Sequence, residues 1–205
     1  MTNSSPLILI GGSGHAKVIV ALAQQLGVPV ECCLDDNPAL HGTTLLGVPV
    51  RGPTASFPLA GRRAVLAIGS NATRARLASS LPAEWATLVH PRAFVDPSVQ
   101  LGPGSVVFAG AVVQPDTVIG SHAILNTGAT VDHDGRIGDF VHLAPGVHLA
   151  GNVTVDEGAF VGVGVSVIPG RHIGAWTTVG AGAAVVRDLP AHVTAMGVPA
   201  RVKGS

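Results

Sequence analysis

The stretch Val131-Asp-His-Asp-Gly-Arg-Ile137-Gly-Asp-Phe-Val-His-Leu143-Ala-Pro-Gly-Val-His-Leu149 places an aliphatic residue at every sixth position. Followed outward, the same step lands on Val95, Leu101, Val107, Val113, Ile119 and Leu125, and then on Val155, Val161, Val167, Ile173, Val179 and Val185. Four residues beyond these positions the side chains are small or β-branched, from Val99 and Ser105 to Thr177 and Ala183, with Arg171 the exception. Glycine recurs directly after the aliphatic position, as at Gly102, Gly120, Gly138, Gly162, Gly174 and Gly180. A helix of 3.6 residues per turn drifts out of phase with such a period, and a hairpin meander does not generate it. The period predicts a parallel β-helix of hexapeptide repeats. Three hexads would make one triangular coil, and successive coils would stack at about 4.8 Å. Val95, Val113, Val131, Leu149, Val167 and Val185 would then form one inner ladder. The period leaves the hand open, and the general crossover rule favours right-handed connections.

The composition agrees with an aliphatic core. The 205 residues are 47% hydrophobic but only 12% charged, with 27 Gly, no Tyr and few aromatics. Twelve basic and twelve acidic side chains balance, so no electrostatic footprint for nucleic acid or an anionic membrane is expected. Apolar runs are too short for a spanning helix, which needs about 18 consecutive residues. Met1 to Pro6 lacks the basic start of a signal peptide, so the expected location is the cytoplasm. Cys32 and Cys33 are sequence neighbours without a third cysteine, which suits buried strand residues better than a disulfide or thiolate metal site.

Residues 1–90 follow another grammar, and 91–205 hold the coils and a tail. Leu7-Ile-Leu-Ile10 reads as a buried strand, Gly11 to His15 as a tight turn, and Ala16 to Gln25 as a helix. Strands are expected at Val28 to Leu34 and Ala64 to Ile68, a helix from Ala72 to Leu81, and a strand at Leu88 to Pro91 leading into the first coil. This alternation predicts an α/β unit with a small parallel, Rossmann-like βαβ sheet.

Gly12-Ser-Gly-His-Ala-Lys17 resembles a phosphate-binding turn, but Lys17 stands where a dinucleotide fingerprint has its third glycine. A mononucleotide-type site follows: Ser13, Gly14 and His15 near phosphate or sugar, Asp35 and Asp36 as acceptors for ribose or base, and Gly69 after the third strand. The bland alternative is a turn that merely joins strand to helix. All three clusters fall at strand C-termini, where open parallel sheets bind ligands. In the coils, most histidines suit a solvated surface. His133 differs, because Asp132 and Asp134 flank it and a neighbouring carboxylate orients an imidazole and raises its basicity. Zinc held by His133, His142 and His148 is the competing reading. The leading expectation is that no metal is bound.

The whole chain resembles the hexapeptide-repeat nucleotide-sugar acetyltransferases that N-acetylate UDP- or GDP-linked 4-amino-4,6-dideoxysugars, together with their sialic acid O-acetyltransferase-like relatives. The likeness is carried by Ile10-Gly-Gly-Ser-Gly-His-Ala-Lys17, Leu34-Asp-Asp36, Ala67-Ile-Gly69, Asn126-Thr-Gly-Ala-Thr-Val-Asp-His-Asp134, His142, Leu149-Ala-Gly-Asn152 and Gly197-Val-Pro-Ala-Arg201. It implies a left-handed β-helix, a homotrimer, and acetyl-CoA as cosubstrate. It further implies His133 as general base with Asp134 increasing its basicity, and Asn126 on the substrate side. His142, Gly151, Val163 and Ala181 would line the acetyl-CoA site, Gly151 through its backbone N–H, and the N-terminal clusters would hold the nucleotide sugar. Direct transfer to a 4-amino group is the expected reaction. O-acetylation of a sialic or related sugar is the enzymatic alternative, and a noncatalytic nucleotide-binding trimeric scaffold is the alternative of another class.

Overall fold

The computed structural model describes residues 5–204, so the reading of the chain start rests mostly on residues outside the described ones. The chain divides into two compact units between Pro91 and Arg92.

In the first unit, β1 (Leu7–Ile10) is buried along its whole length, as expected of a continuous aliphatic strand covered on both faces. Gly11 turns the chain at φ +116°, and a Cβ there would come within 2.7 Å of the Ala67 carbonyl oxygen. Only glycine fits both conditions. Helix α1 (Gly14–Gln25) buries Ala16, Ile19, Val20, Leu22 and Ala23, one face at helical spacing. Then come β2 (Val30–Leu34), an antiparallel hairpin of β3 (Thr44–Leu45) and β4 (Val48–Arg51), β5 (Arg63–Leu66), α2 (Asn71–Ser80) and β6 (Glu84–Trp85). The sheet order is β3-β4-β2-β1-β5-β6, and every pair except β3 with β4 is parallel.

The sheet therefore grows to one side of β1 and then to the other. That reversal leaves a crevice at the C-terminal ends of β1 and β5, the switch point where such sheets take ligands. Both helices begin one or two residues before the expected starts, and β2 begins at Val30 instead of Val28. The β3–β4 hairpin and β6 escape prediction because strands this short show little alternation.

In the second unit, two-residue strands repeat with the first side chain outward and the second inward. Parallel pairing joins residues 18 apart, so Val95, Val113, Val131, Leu149, Val167 and Val185 stack in one ladder. The solenoid is left-handed and parallel. Its first face runs from Phe94–Val95 to Ala184–Val185, its second from Gln100–Leu101 to His172–Ile173, and its third from Val106–Val107 to Thr178–Val179 and Thr194–Met196. The inward residues from Val107 to Val185 are at most 3% exposed. Each such side chain contributes roughly 1.5–3 kcal/mol by leaving water, which offsets the entropy of fixing so many turns.

The turns explain a second period. Every sixth residue from Gly104 to Gly182 has a left-handed backbone, and where glycine is absent the position holds Asp116, His122, Asp134, Phe140, Asn152 or Trp176. Asp and Asn tolerate this conformation, whereas the three bulky rings adopt it at a cost. His122 stacks on Phe140 with ring centroids 5.3 Å apart, and Trp176 lies over Gly158. After Val185 the register shortens: Thr178 pairs with Thr194, and Arg201–Val202 closes the third face as an antiparallel strand against Ala195–Met196.

Candidate active site

His133 occupies the turn from the first face to the second. Its Nδ1 lies 2.8 Å from Asp134 Oδ2, and its backbone N–H donates to Asp132 Oδ1 at 2.8 Å. The left-handed backbone of Asp134, φ 59°, accompanies the return of its carboxylate to the preceding ring. An ionised carboxylate only accepts, so Nδ1 carries the hydrogen and leaves the Nε2 lone pair open. The hydrogen bond to Asp134 is the main reason the ring's pKa is raised, and the negative charges of Asp132 and Asp134 add to it. Both side chains remain about half exposed.

One coil further on, Gly151 is buried under the His133 ring. A Cβ on Gly151 would lie 2.6 Å from both Cε1 and Nε2. The coil ladder uses the flanking amides, Ala150 N–H to Val167 O and Asn152 N–H to His133 O. Gly151 itself faces the open Nε2 of His133 on its Cα side. Asp132 also lines a hollow of about 250 Å³ on the first face, with Val112, Gln114 and Thr130.

Asn126 and His142 meet at the edge between the third and first faces. Asn126 Oδ1 accepts from Thr127 N–H at 2.8 Å, which turns its amide nitrogen toward His142 Nε2 at 3.3 Å. The His142 ring is buried and packs edge-on to Phe160. Val163 and Ala181 occupy equivalent turn positions one coil apart along this same edge, and Val163 is 54% exposed. Within one chain, His133, Asp134 and Gly151 thus stand along one border of the first face, and Asn126, Val163 and Ala181 along the other. His148 lies on the face between them, with Nδ1 3.0 Å from Thr130 Oγ1. The three histidines of the zinc reading have separate partners, and the described residues contain no group of three or more His, Cys, Asp or Glu suited to a metal.

In the first unit, a cleft of about 130 Å³ opens at the ends of β1, β2 and β5, lined by Gly11, Asp35, Asp36, Ile68, Thr73 and Arg76 among others. Asp35 accepts from Gly12 N–H at 2.7 Å and Asn37 N–H at 2.9 Å, and Asp36 accepts from Thr54 N–H at 2.8 Å. Both carboxylates therefore fix the loops of the cleft as well as facing it. Ser13 and Gly14 are exposed at the start of α1. An added Cβ at Gly14 or Gly69 would touch nothing, so packing does not demand glycine there. His15 is largely buried, and burial together with the Arg74 charge lowers its pKa to about 4. Thr73, Arg74 and Arg76 were not legible in the sequence, where they look like ordinary polar positions of a helix.

Residues 6–81 match the PglD N-terminal domain family. No curated protein matches the chain. Among solved structures, PerB from Caulobacter crescentus in complex with CoA and GDP-perosamine is 46% identical over 98% of both chains, with a TM-score of 0.92. The acetyltransferase domain of PglB from Neisseria gonorrhoeae, in complex with acetyl coenzyme A, is 39% identical over 98% of this chain and 100% of that one, with a TM-score of 0.90. WeeI from Acinetobacter baumannii is 29% identical over 97% of this chain and 100% of its own, with a TM-score of 0.88.

The protein is an acetyl-CoA-dependent acyltransferase built on hexapeptide repeats. More particularly, the chain belongs to the PglD-like family of nucleotide-sugar N-acetyltransferases.

Proposed function

We propose that this protein moves the acetyl group of acetyl-CoA to the 4-amino group of a nucleotide-linked 4-amino-4,6-dideoxysugar, with GDP-perosamine the first substrate to test. The observation that carries the reading is the His133–Asp134 pair seated over Gly151. The amine attacks the thioester carbonyl only when unprotonated. His133 Nε2 takes its proton as the new C–N bond forms, while Asp134 holds Nδ1 and stabilises the imidazolium. The Gly151 N–H donates to the carbonyl oxygen as it gains negative charge. Collapse of the tetrahedral adduct breaks the C–S bond, and the departing CoA sulfur recovers the proton from His133. No protein nucleophile is needed. Cys32 and Cys33 are fully buried, and burial pushes both thiols up, Cys33 to about 11.

His142, set by Asn126, joins Val163 and Ala181 on the CoA side, and the first unit holds the nucleotide through Ser13, Gly14, His15, Asp35, Asp36 and Gly69. The separation of the His133 edge from the Val163 edge across the first face supports a homotrimer, in which one copy's base meets cosubstrate held along a neighbour's edge. No helix among the described residues is long and apolar enough to cross a membrane. We place the enzyme in the cytoplasm, where acetyl-CoA and nucleotide sugars are made.

His133→Ala tests the reading with acetyl-CoA and a panel of GDP-, UDP- and dTDP-linked aminosugars beside a sialic acid. The expected result is wild-type turnover on a nucleotide-linked aminosugar and a loss of about 10²–10⁴-fold in the variant, with acetyl-CoA binding retained. Turnover of the sialic acid alone, or an active variant, overturns it.

A further inference from the structure

Arg74 is the largest fully buried side chain among the described residues, 1% exposed on the first turn of α2. Burying a guanidinium costs several kcal/mol unless hydrogen bonds repay it, and an apolar residue would fill the same volume without that cost. The bonds are specific. One nitrogen, Nη1, donates to the carbonyls of both Ile68 and Gly69 at 3.1 Å. Those carbonyls form the turn that follows β5, which packs against the Gly11 turn through Ala67 and Ile68. Ile68 lines the cleft, as does Thr73, the helical neighbour of Arg74. The backbone fixes the same corner, since Arg74 N–H donates to Ser70 O and Ser70 Oγ caps α2 at Thr73 N–H.

We propose that Arg74 is a positioning residue for the nucleotide half of the substrate, tying the turn after β5 to α2 so that the cleft is preformed. It touches no substrate itself. Its charge also reaches His15 in the first turn of α1 and opposes protonation of that ring. A preformed cleft binds without a cost for ordering its loops, so loss of the guanidinium appears in substrate affinity and spares the chemistry at His133. The inference rests on the nucleotide-sugar reading given above.

The test is steady-state kinetics of the full-length enzyme carrying Arg74→Gln or Arg74→Lys, with acetyl-CoA and GDP-perosamine or whichever aminosugar of the panel the wild type uses. Arg74→Gln is expected to raise KM for the nucleotide sugar at least tenfold, with kcat at saturation and KM for acetyl-CoA within twofold of wild type. Arg74→Lys keeps a cation with several N–H donors but on a shorter side chain without the planar guanidinium, and is expected to fall between wild type and Arg74→Gln. A KM for the nucleotide sugar within twofold of wild type overturns the proposal, as does a rise matched by acetyl-CoA. If Arg74→Gln does not fold, Arg74→Lys decides alone: a rise of threefold or more confined to the nucleotide sugar supports the proposal, and anything less overturns it. A wild type inert on the whole panel rejects the functional reading and this proposal with it, whereas an active wild type with unmoved variants rejects the proposal alone.

Discussion

The imidazole of His133 rests on the bare Cα of Gly151, its counterpart in the next coil, so closely that a methyl group there would sit 2.6 Å from Nε2. This glycine is required by the side chain above it and not by its own backbone angles. Gly151→Ala is accordingly expected to displace the ring and lower kcat by about 10²-fold or more, within the range typical of losing a general base. The solenoid should remain folded, since the turn tolerates an Ala conformation at that point. A kcat within threefold of wild type would show that the ring's seat is irrelevant to turnover.

Asp134→Asn should move the acidic limb of the pH–kcat/KM profile to lower pH. The carboxylate raises the His133 pKa, so the wild-type base loses its proton at higher pH than it would without that partner, and an amide removes the support. Maximal rate should fall as well, because the imidazolium formed during transfer loses its counter-charge. Asn is the replacement of choice because it tolerates the φ of 59° at this turn. An unmoved limb measured from pH 5 to 9 would argue against His133 as the titrating group.

Acid should destabilise the first unit through His15. Its folded pKa, about 4, lies below the ordinary 6.5, so the unfolded chain binds more protons between those values and stability falls as pH drops through that window. The loss approaches about 3 kcal/mol by pH 4, from 1.36 kcal/mol per pKa unit. Thermal melts between pH 7 and 4 should show this slope, and His15→Gln should flatten it. Equal slopes in both proteins would refute the assignment.

Leu143→Ala removes a fully buried rung of the inner ladder. A cost of about 2–5 kcal/mol is expected, because neighbours fixed above and below by strand pairing cannot close the void. Urea unfolding checks it, and a loss under 1 kcal/mol would mean the ladder relaxes more freely than its packing suggests.

The solenoid was legible because two side chains in six are enclosed, a large aliphatic one and a small one four residues on, and Val95 to Val185 records the first demand without interruption. The glycine turn, Asp35, Asp36 and the His133-Asp134 pair were legible because their chemistry is unusual for their surroundings. The left-handed turn positions carry an equally clear period, from Gly104 to Gly182, yet it is easily overlooked beside the aliphatic one because His122, Phe140 and Trp176 break the expected composition. Arg74 left no trace, since a polar helix position reveals nothing of whether its side chain folds inward. Nor does sequence spacing show that His133 and Val163 lie on opposite borders of one face, because a coil returns every 18 residues and distance along the chain says little about distance around the prism.

Identical coils stacked by backbone pairing have no built-in reason to stop, and an uncovered last rung would recruit further chains in the manner of a growing fibril. The shortened step after Val185 and the reversed strand at Arg201–Val202 change both spacing and direction on the third face. A newcomer continuing the repeat on that face would meet a short strand of reversed direction in place of the repeating register. The reversal thus interrupts a self-templating pattern on that face.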